Sequence, residues 1–422
     1  MRNLFDQYEQ PENRLTHALV CCLARDRRLL RQFVQWATGE ACPPWRNLSI
    51  LEQRLPGELE APDEDVAARR GLPDAWIHDS NTWSLLVESK IEAPLQRDQL
   101  DRHIRTAIRE GFRDVHLLAL VTKRSGIPLP SGLKVIEWRE LYSWLRREGK
   151  SEWAQDLMES MEVTEGKLVG SGYLREGTLT VFSGIPFGKD YPYNYREAKR
   201  LLHLCMEQLK GRANLRGRLE MDPKAEGRPA ITGTEEMSVW DFLRLFQARG
   251  ESSFTKCPHL TLSIQQERIF ACVTVPNGIR AEYRRRLLGR GLEHFVNLCT
   301  EVQGRLKKVL RNANGAVPWV HLVQRRYPTQ RSIPIVDASL QFDLRTTGAL
   351  PVAPRRRKTV KTQREWIEAA YKGLANRNSN LQFAIGVVFP YARCRAVGTP
   401  QILEYVAEVW LSCRPLIRTI VG

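Results

Sequence analysis

Two extended segments on either side of Ser80-Asn81 constrain the fold of this chain more than any other feature. Pro73–Asp79 and Thr82–Ile91 are predicted to form two strands joined through this polar pair. The elements predicted around them are helices at 12–25, Arg27–Ala37, Gln96–Glu110 and Arg139–Arg147, and strands at Val115–Thr122 and Lys134–Trp138. An order of helix, strands, helix and strand favours an α/β domain whose sheet is covered by helices.

The rest of the chain predicts a second, mixed α+β domain at residues 170–422. A glycine-punctuated stretch, Gly166–Gly177, marks its boundary with a first domain at residues 1–160, and Pro351–Lys361 is predicted to be an exposed basic linker. The predicted strands of this second domain are Leu179–Ile185, His259–Ile264, Ile269–Val275, Val320–Gln324, Ile335–Leu344 and Leu381–Phe389. Its predicted helices are Tyr195–Lys210, Arg280–Arg311 and Gln363–Ala375.

The net charge of +16 is unevenly distributed along the chain. Residues 1–160 carry 23 basic and 25 acidic side chains, whereas residues 161–422 carry 41 and 23. This excess indicates a polyanionic partner for the C-terminal part, although an inert basic surface would have the same composition. Arginine pairs with phosphate and neighbouring aromatic rings stack on bases, whereas a solvated helix face or linker is the alternative. The candidate nucleic-acid contacts are Arg284, Arg285, Arg325, Arg326, Arg355 and Arg356.

The cysteines and the hydropathy indicate a cytoplasmic protein. The nine cysteines are odd in number and form no CxxC pair, which favours reduced, buried thiols over disulfides or a zinc site. There is no run of eighteen apolar residues, and the first residues lack the apolar stretch of a signal peptide. We therefore expect no membrane partner.

Asp74, Glu88 and Lys90 are predicted to meet on one face of the hairpin. Glu88 and Lys90 point to the same side because side chains alternate along a strand. If the hairpin is centred on Asn81, Asp74 lies opposite Glu88, with Cβ atoms about 4.5–5.5 Å apart. Two such carboxylates can share one Mg²⁺, and a lysine beside them can position water or stabilise a phosphate transition state. The alternative is an ion pair on a solvated strand face.

Further motifs in the same order resemble the PD-(D/E)XK nuclease superfamily, which includes many restriction and repair enzymes. Pro73-Asp74 followed by Glu88-Ser89-Lys90 is similar to its signature. Three flanking segments resemble its other elements: Glu12-Asn13-Arg14-Leu15-Thr16-His17-Ala18-Leu19, Gln99-Leu100-Asp101-Arg102-His103 and Val135-Ile136-Glu137-Trp138. The resemblance covers residues 9–147, about a third of the chain, and implies a restriction-endonuclease-like αβββαβ core. The C-terminal part shows no such resemblance.

The resemblance implies roles for five residues. Asp74 and Glu88 would be metal ligands with a contribution from Glu12, and the metal would be Mg²⁺ or Mn²⁺. Lys90 would be the catalytic lysine, and Gln99 would help to position substrate or water. Each of these roles is an expectation for the structure to test.

Glu12, Gln99 and His103 also have plainer interpretations. Glu12 shares a helical face with apolar residues, where a carboxylate needs a partner, but a first-turn glutamate is also favoured by the helix dipole. Gln99 and His103 lie one turn apart on a predicted helix, so both can face the site or both can be solvated. His103 stands where many members of the superfamily have tyrosine, which leaves its role open.

The sequence therefore predicts a Mg²⁺-dependent nuclease that hydrolyses phosphodiester bonds, with DNA favoured over RNA. A prokaryotic restriction or antiphage role, a homo-oligomer, and a signalling ligand or partner protein on the C-terminal domain are expectations by analogy. Two alternatives stay open. One is a catalytically silent nuclease fold that binds nucleic acid or assembles, and the other is an RNA-directed or nucleotide-sensing protein whose function lies in residues 170–422.

Overall fold

The computed structural model describes residues 10–40, 47–56, 71–124, 132–219, 238–245, 256–276, 281–329, 335–347, 364–376 and 380–422. The chain divides into two compact units of mixed α/β structure, Met1–Val181 and Phe182–Gly422. The sequence placed this division between residues 160 and 170. A helix at Glu152–Ser171 instead runs through Gly166, because burial of its apolar face in the first unit outweighs the low helix propensity of glycine.

The first unit is built on a mixed sheet with helices on both faces. Its described elements are α1 (Pro11–Arg25), α2 (Arg27–Thr38), β1 (Ser49–Glu52), β2 (Ala75–His78), β3 (Trp83–Lys90), α3 (Arg97–Arg109), β4 (Asp114–Val121), β5 (Leu133–Glu137), α4 (Trp138–Glu148) and α5 (Glu152–Ser171). The strand order is β1-β2-β3-β4-β5, antiparallel as far as β3 and parallel beyond it. The predicted elements of residues 12–147 are all present, whereas β1 and α5 were not predicted.

The hairpin of β2 and β3 has the register that the sequence predicts. Ala75 pairs with Val87, and the pairing continues symmetrically about residue 81. One further step of this register places Asp74, just before β2, level with Glu88 of β3. The two acidic residues are therefore neighbours across the start of the hairpin.

Asp79 closes the turn of this hairpin. Its Oδ1 atom accepts the backbone N–H groups of Asn81 and Trp83, each at 3.0 Å. Ser80 between them has a φ of +62°, a conformation that short polar residues tolerate in tight turns. Asp79 therefore sets the register of the hairpin through local hydrogen bonds.

Alternation along β3 divides its side chains between two cores. Val87 packs in a core formed with α1, α2, α4 and α5, whereas Leu86 packs with apolar residues of α3 and β4. Glu88 and Lys90 lie on the side of Leu86 because they are two and four residues further along. This alternation points both side chains towards α3.

The second unit is an antiparallel sheet with helices packed on one face. Its described elements are α6 (Tyr195–Lys210), α7 (Ala213–Leu219), β6 (Ser238–Arg244), β7 (His259–Gln265), β8 (Arg268–Val275), α8 (Ala281–Leu288), α9 (Gly291–Asn312), β9 (Val317–Arg326), β10 (Ile335–Asp343), α10 (Arg364–Ala375), β11 (Leu381–Pro390), α11 (Ile402–Ser412) and α12 (Arg414–Val421). The strand order is β10-β9-β11-β8-β7-β6. Val273, Leu322 and Ile385 point from the sheet into the core beneath the helices.

The predicted strand at Leu179–Ile185 was wrong. This segment is mostly buried and begins with bends at Leu179 and Thr180, and its backbone groups have partners outside any strand. Leu179 donates its N–H to the carboxylate of Glu165 at 3.0 Å, and Ile185 donates to the carbonyl of Val397 at 2.9 Å. A short apolar run that is buried has the sequence pattern of a strand even where it pairs with no other strand, which is why the prediction failed.

The single helix predicted at Arg280–Arg311 is two helices in the structure. The helix α8 ends at Leu288, and α9 begins at Gly291, whose φ of +84° is one that glycine adopts without steric cost. The predicted helix Tyr195–Lys210 agrees with α6 at both ends. The strand β6 and the helices α7, α11 and α12 were not predicted.

Eight cysteines lie among the described residues, all with free thiols, and seven of them are buried. None of the described helices has both the length and the apolar character needed to cross a bilayer. The linker predicted at Pro351–Lys361 lies outside the described residues.

Candidate active site

Asp74, Glu88 and Lys90 come together at the end of the β2–β3 hairpin. The Nζ atom of Lys90 lies 2.6 Å from Oε1 of Glu88. Asp74 accepts the backbone N–H of Ser89 on its Oδ2 atom at 2.7 Å, which holds it beside β3. Glu88 is fully buried, whereas Asp74 and Lys90 are partly exposed. Two carboxylates and one ammonium group therefore face a common position.

Side chains of α3 hold Glu88 in place. Gln99 donates from Nε2 to Oε1 of Glu88 at 2.7 Å. One helical turn later, Nε2 of His103 lies 3.0 Å from the other carboxylate oxygen, Oε2. The solvated alternative for Gln99 and His103 is therefore wrong, because His103 is buried and both residues bond to Glu88.

His103 is held in its charged form by two acceptors. Its Nδ1 atom lies 2.9 Å from the backbone carbonyl of Gly71, which can only accept a hydrogen bond. Burial lowers the pKa of His103, but the hydrogen bond to Glu88 and the charge of that carboxylate outweigh it, so the pKa lies above its usual value. An imidazolium that donates from both nitrogens fits this geometry.

Gly71 brings its carbonyl to His103 through a conformation that suits glycine. Its φ is +69°, and an added Cβ would lie 3.1 Å from Cβ of Arg102 and 3.3 Å from Oγ1 of Thr106, both on α3. A side chain at residue 71 would therefore be strained by the backbone conformation and would require Arg102 or Thr106 to shift by a few tenths of an ångström.

Glu12 lies in the first turn of α1 and is buried beside the hairpin. Its Oε1 atom accepts the N–H of Ile91 at 3.3 Å and the hydroxyl of Tyr173 at 3.4 Å. On the same helix, Thr16 lies 2.7 Å from the hydroxyl of Ser89, which fixes α1 against β3. The carboxylate of Glu12 thus has one buried partner, the backbone of Ile91, and one exposed partner, Tyr173, and it occupies a first-turn position as well.

The pKa values of the two carboxyl groups of the site are shifted in opposite directions. Burial and the negative charge of Glu88 raise the pKa of Asp74 to about 7, although Lys90 opposes this. Burial also favours the neutral form of Glu88, but His103 and Lys90 outweigh it and hold the pKa of Glu88 below its usual value. Glu88 therefore ionises first, and Asp74 takes up the proton that the pair retains.

Lys90 stays protonated in this surrounding. Burial lowers the pKa of its ammonium group, but the charges of Glu88 and Asp74 oppose burial and hold the pKa above its usual value. Glu12 adds to the negative charge around it. The lysine can therefore supply a positive charge to a phosphate, whereas abstraction of a proton from water would need its neutral form.

The donor set suits a hard divalent cation. Asp74 and Glu88 offer carboxylate oxygens, the ligands that Mg²⁺ prefers, and a cation would relieve the repulsion that raises the pKa of Asp74. Among the described residues, no group of three His, Cys, Asp or Glu side chains is arranged to hold a metal ion. Glu12, the third predicted ligand, is engaged with Ile91 and Tyr173. Water and phosphate oxygens would then complete the coordination shell, as is usual for Mg²⁺.

The predicted nucleic-acid contacts Arg284 and Arg285 lie on α8. Arg284 donates from Nε to the carbonyl of Leu374 at 2.8 Å and from Nη2 to that of Asn376 at 3.1 Å, so it caps the end of α10. Arg285 is exposed. Of this pair, Arg285 is the one whose position suits a contact with phosphate.

Arg325 and Arg326 lie on β9 and point to opposite faces of the sheet. Arg326 is exposed and forms an ion pair with Asp337 at 3.3 Å, whereas Arg325 is partly buried on the face without helices. Arg355 and Arg356 lie outside the described residues. The described arginines therefore form two pairs, one on α8 and one on β9.

Several residues of the site were not predicted. Gly71, Thr16 and Tyr173 bond to site residues, but their partners are 32, 73 and 161 residues away along the chain. The sequence signals for His103 were its spacing of four residues from Gln99 and its position in the segment that resembles the nuclease superfamily. Comparisons with protein-family models, curated proteins and solved structures found no match to this chain.

Proposed function

We propose that this protein is a metal-dependent nuclease of the PD-(D/E)XK type, which hydrolyses phosphodiester bonds and prefers DNA to RNA. The observation that carries the proposal is the meeting of Asp74, Glu88 and Lys90 at one end of the β2–β3 hairpin. Their spacing in the sequence, their shared face and their charges all suit the same chemistry.

The order of elements supports the same proposal. The helix α1, the strands β1, β2 and β3, the crossover helix α3 and the strand β4 follow one another as an αβββαβ series, with α2 added after α1. The antiparallel and parallel parts of the sheet meet at one strand. Here that strand is β3, which carries Glu88 and Lys90.

Each residue has a specific task in the proposed reaction. Asp74 and Glu88 would hold Mg²⁺ or Mn²⁺, which when bound polarises a phosphate oxygen and favours ionisation of water. Lys90, which stays protonated, would stabilise the negative charge that develops on the scissile phosphate. Gln99 and His103 would keep the carboxylate of Glu88 in one orientation. Glu12 would add negative charge beside the cation.

The second unit supports a nucleic acid as the substrate. Residues 182–422 carry 39 basic and 20 acidic side chains, so this unit holds the whole positive excess of the chain. A surface of this sign attracts the phosphate backbone without regard to sequence. By analogy, we also propose a prokaryotic restriction or antiphage role and a homo-oligomer that cuts both strands.

The second candidate function is a nuclease fold that binds nucleic acid without cleaving it. Both carboxylate oxygens of Glu88 already have partners in Lys90, Gln99 and His103. A cation would have to displace or share one of these donors. This observation favours a site in which the charged groups stabilise the fold and do not take part in catalysis.

A cleavage assay separates the two candidates. Supercoiled plasmid, linear duplex, single-stranded DNA and RNA are incubated with the protein in Mg²⁺, Mn²⁺ or EDTA. We expect metal-dependent cleavage, lowered about a hundredfold or more by Lys90→Ala because a charge at the reacting phosphate is lost. Lys150→Ala, at an exposed lysine of the first unit, is the matched control and should cleave normally.

Binding is measured beside cleavage by the retention of labelled DNA. Lys90→Ala should bind with nearly normal affinity, because the second unit is unchanged. The absence of cleavage with every substrate and metal, together with normal binding by both proteins, would establish the silent fold. Equal cleavage by the wild type and Lys90→Ala would remove this site from the reaction.

A further inference from the structure

The second sheet has a cavity of about 360 Å³ on the face that does not pack against the helices. Alternate residues of β6, β7, β8, β9 and β11 line it, and their chain neighbours point into the core beneath the helices. None of the described helices contributes a residue to its lining. Its volume lies within the range of small-molecule sites, about 300–1,000 Å³.

Aromatic side chains are prominent in this cavity. Trp240, Phe270, Trp319 and Tyr327 line it. The ring of His321 stacks on Trp319, with the centroids 5.0 Å apart and the planes at 8° to each other. Tyr327 is exposed and Trp240 partly exposed, whereas Phe270 and Trp319 are buried against each other. Aromatic rings on a sheet face are a common platform for planar bases.

The cavity is positively charged. No acidic side chain is among its described lining residues, whereas Arg325 lines it and the guanidinium of Arg268 lies 4.8 Å from the ring centroid of Trp319. Burial and the charges of Arg325 and Arg268 lower the pKa of His321 to about 4, so this ring is neutral at pH 7. Burial disfavours a charge of either sign, whereas the charges of Arg325 and Arg268 favour an anion.

Hydroxyl and amide groups complete the lining. Thr261 and Thr274 lie on neighbouring strands with their Oγ1 atoms 2.7 Å apart, and Ser263 lies two residues beyond Thr261. Gln382 approaches Nη1 of Arg325 with its Oε1 atom at 3.3 Å. Such groups suit ring nitrogens, exocyclic groups and sugar hydroxyls, which a simple aromatic acid lacks.

We propose that this cavity binds one nucleotide unit, with the planar base beside the rings of His321 and Trp319 and the phosphate at Arg325. The ligand is either a free nucleotide or an unpaired nucleotide within a nucleic-acid strand, since both present a base, a sugar and a phosphate. The proposal goes beyond the nuclease activity and does not rest on it, because none of its residues belongs to the site around Glu88.

Calorimetric titration of the full-length protein in EDTA tests the proposal without hydrolysis. The ligands are the four ribonucleoside 5′-monophosphates, ATP, GTP, adenosine, and hexamers of deoxyadenylate and deoxythymidylate. We expect at least one phosphate-bearing ligand to bind, and Arg325→Ala to weaken it about tenfold or more because a charged hydrogen bond is lost. Tight binding of monophosphates alone indicates a free nucleotide, and tight binding of hexamers alone indicates a strand.

Arg311→Ala is the matched control, because it removes the same charge from an exposed position on α9, one of the helices packed on the opposite face of the sheet. The affinity of this variant should be normal, and circular dichroism verifies the folding of both variants. No binding by any ligand, adenosine as tight as adenylate, or equal weakening by Arg325→Ala and Arg311→Ala would overturn the proposal, whatever the cleavage assay shows.

Discussion

The Nε2 atom of His103 lies 3.0 Å from Oε2 of Glu88, and neither side chain exposes more than 1% of its surface. The pair joins α3 to β3 at the position where Lys90 approaches the same carboxylate from the other side. Buried charges are costly unless they are paired and hydrogen-bonded, so Glu88 depends on both partners. The histidine therefore contributes to stability as well as to the orientation of the carboxylate.

Replacing His103 with alanine should destabilise the first unit strongly. The change leaves the carboxylate of Glu88 without one of its charged partners in a buried place, which typically costs about 3–5 kcal/mol. His103→Gln retains a donor close to the position of Nε2, so its loss should be clearly smaller. Urea unfolding of the wild type and both variants measures the difference. Equal losses for Ala and Gln would mean that packing, and not the hydrogen bond to Glu88, is what His103 provides.

Cation binding should strengthen as the pH rises through 7. Burial and the charge of Glu88 raise the pKa of Asp74 to about 7, so below this pH a cation must displace a proton from Asp74. The increase in melting temperature caused by Mg²⁺ should therefore be larger at pH 8 than at pH 6. Asp74→Asn should lose most of the increase at both values. A Mg²⁺ effect that is independent of pH would contradict the role of Asp74 as a ligand.

Without metal, Asp74 should make the protein less stable as the pH rises, which is the opposite of its effect on cation binding. The pKa of Asp74 is about 7 in the folded protein, whereas the ordinary value of 3.8 applies to the unfolded chain. The folded state therefore binds the proton more tightly. The contribution of Asp74 to the free energy of unfolding therefore falls as the pH rises from 4 to 7, and is constant above 7. In EDTA, Asp74→Asn should gain stability relative to the wild type between pH 5 and pH 8, as thermal melts can measure.

A second histidine should make stability fall at alkaline pH. Hydrogen bonds to Cys21 and to Glu52, whose Oε2 lies 2.7 Å away, raise the pKa of His17 to about 10. Because this exceeds its ordinary 6.5, the stabilisation is complete below pH 6.5 and is lost as the pH rises through 10. The difference in melting temperature between the wild type and His17→Gln should therefore shrink from pH 6 to pH 10. A constant difference would show that His17 acts through its shape alone.

Two glycines with similar backbone conformations should respond differently to alanine. Gly71 and Gly39 have φ values of +69° and +82°, so alanine costs about 1 kcal/mol at either position from the backbone alone. At Gly71 the new Cβ would also lie 3.1 Å from Cβ of Arg102, whereas at Gly39 there is no atom within 4 Å. Gly71→Ala should therefore lose more stability, and should lower cleavage by moving the carbonyl bonded to His103. Equal losses in unfolding experiments would contradict this account.

The local part of the site could be predicted from the sequence. Alternation along β3 and the symmetrical distances from residue 81 predicted that Asp74 and Glu88 are level, and the observed register agrees. A short turn sets such a register through contacts a few residues apart, which a sequence displays directly. The faces of β3 followed from the same alternation.

Contacts between distant segments could not be predicted in this way. The periodicity of α3 shows that Gln99 and His103 share a face, but the rotation of the helix about its axis depends on the packing of the whole unit. The carbonyl of Gly71 and the hydroxyl of Tyr173 reach the site from elements whose positions no local pattern reveals. The topology of the second sheet was hidden for the same reason, since β11 pairs between β8 and β9, far from both along the chain.

All residues of the candidate active site lie between Glu12 and Tyr173, within the unit that ends at Val181. A genetic exchange at codon 182 would therefore transfer the complete acidic cluster together with the first unit. If the proposed activity is correct, related proteins can combine the same catalytic site with a different second unit.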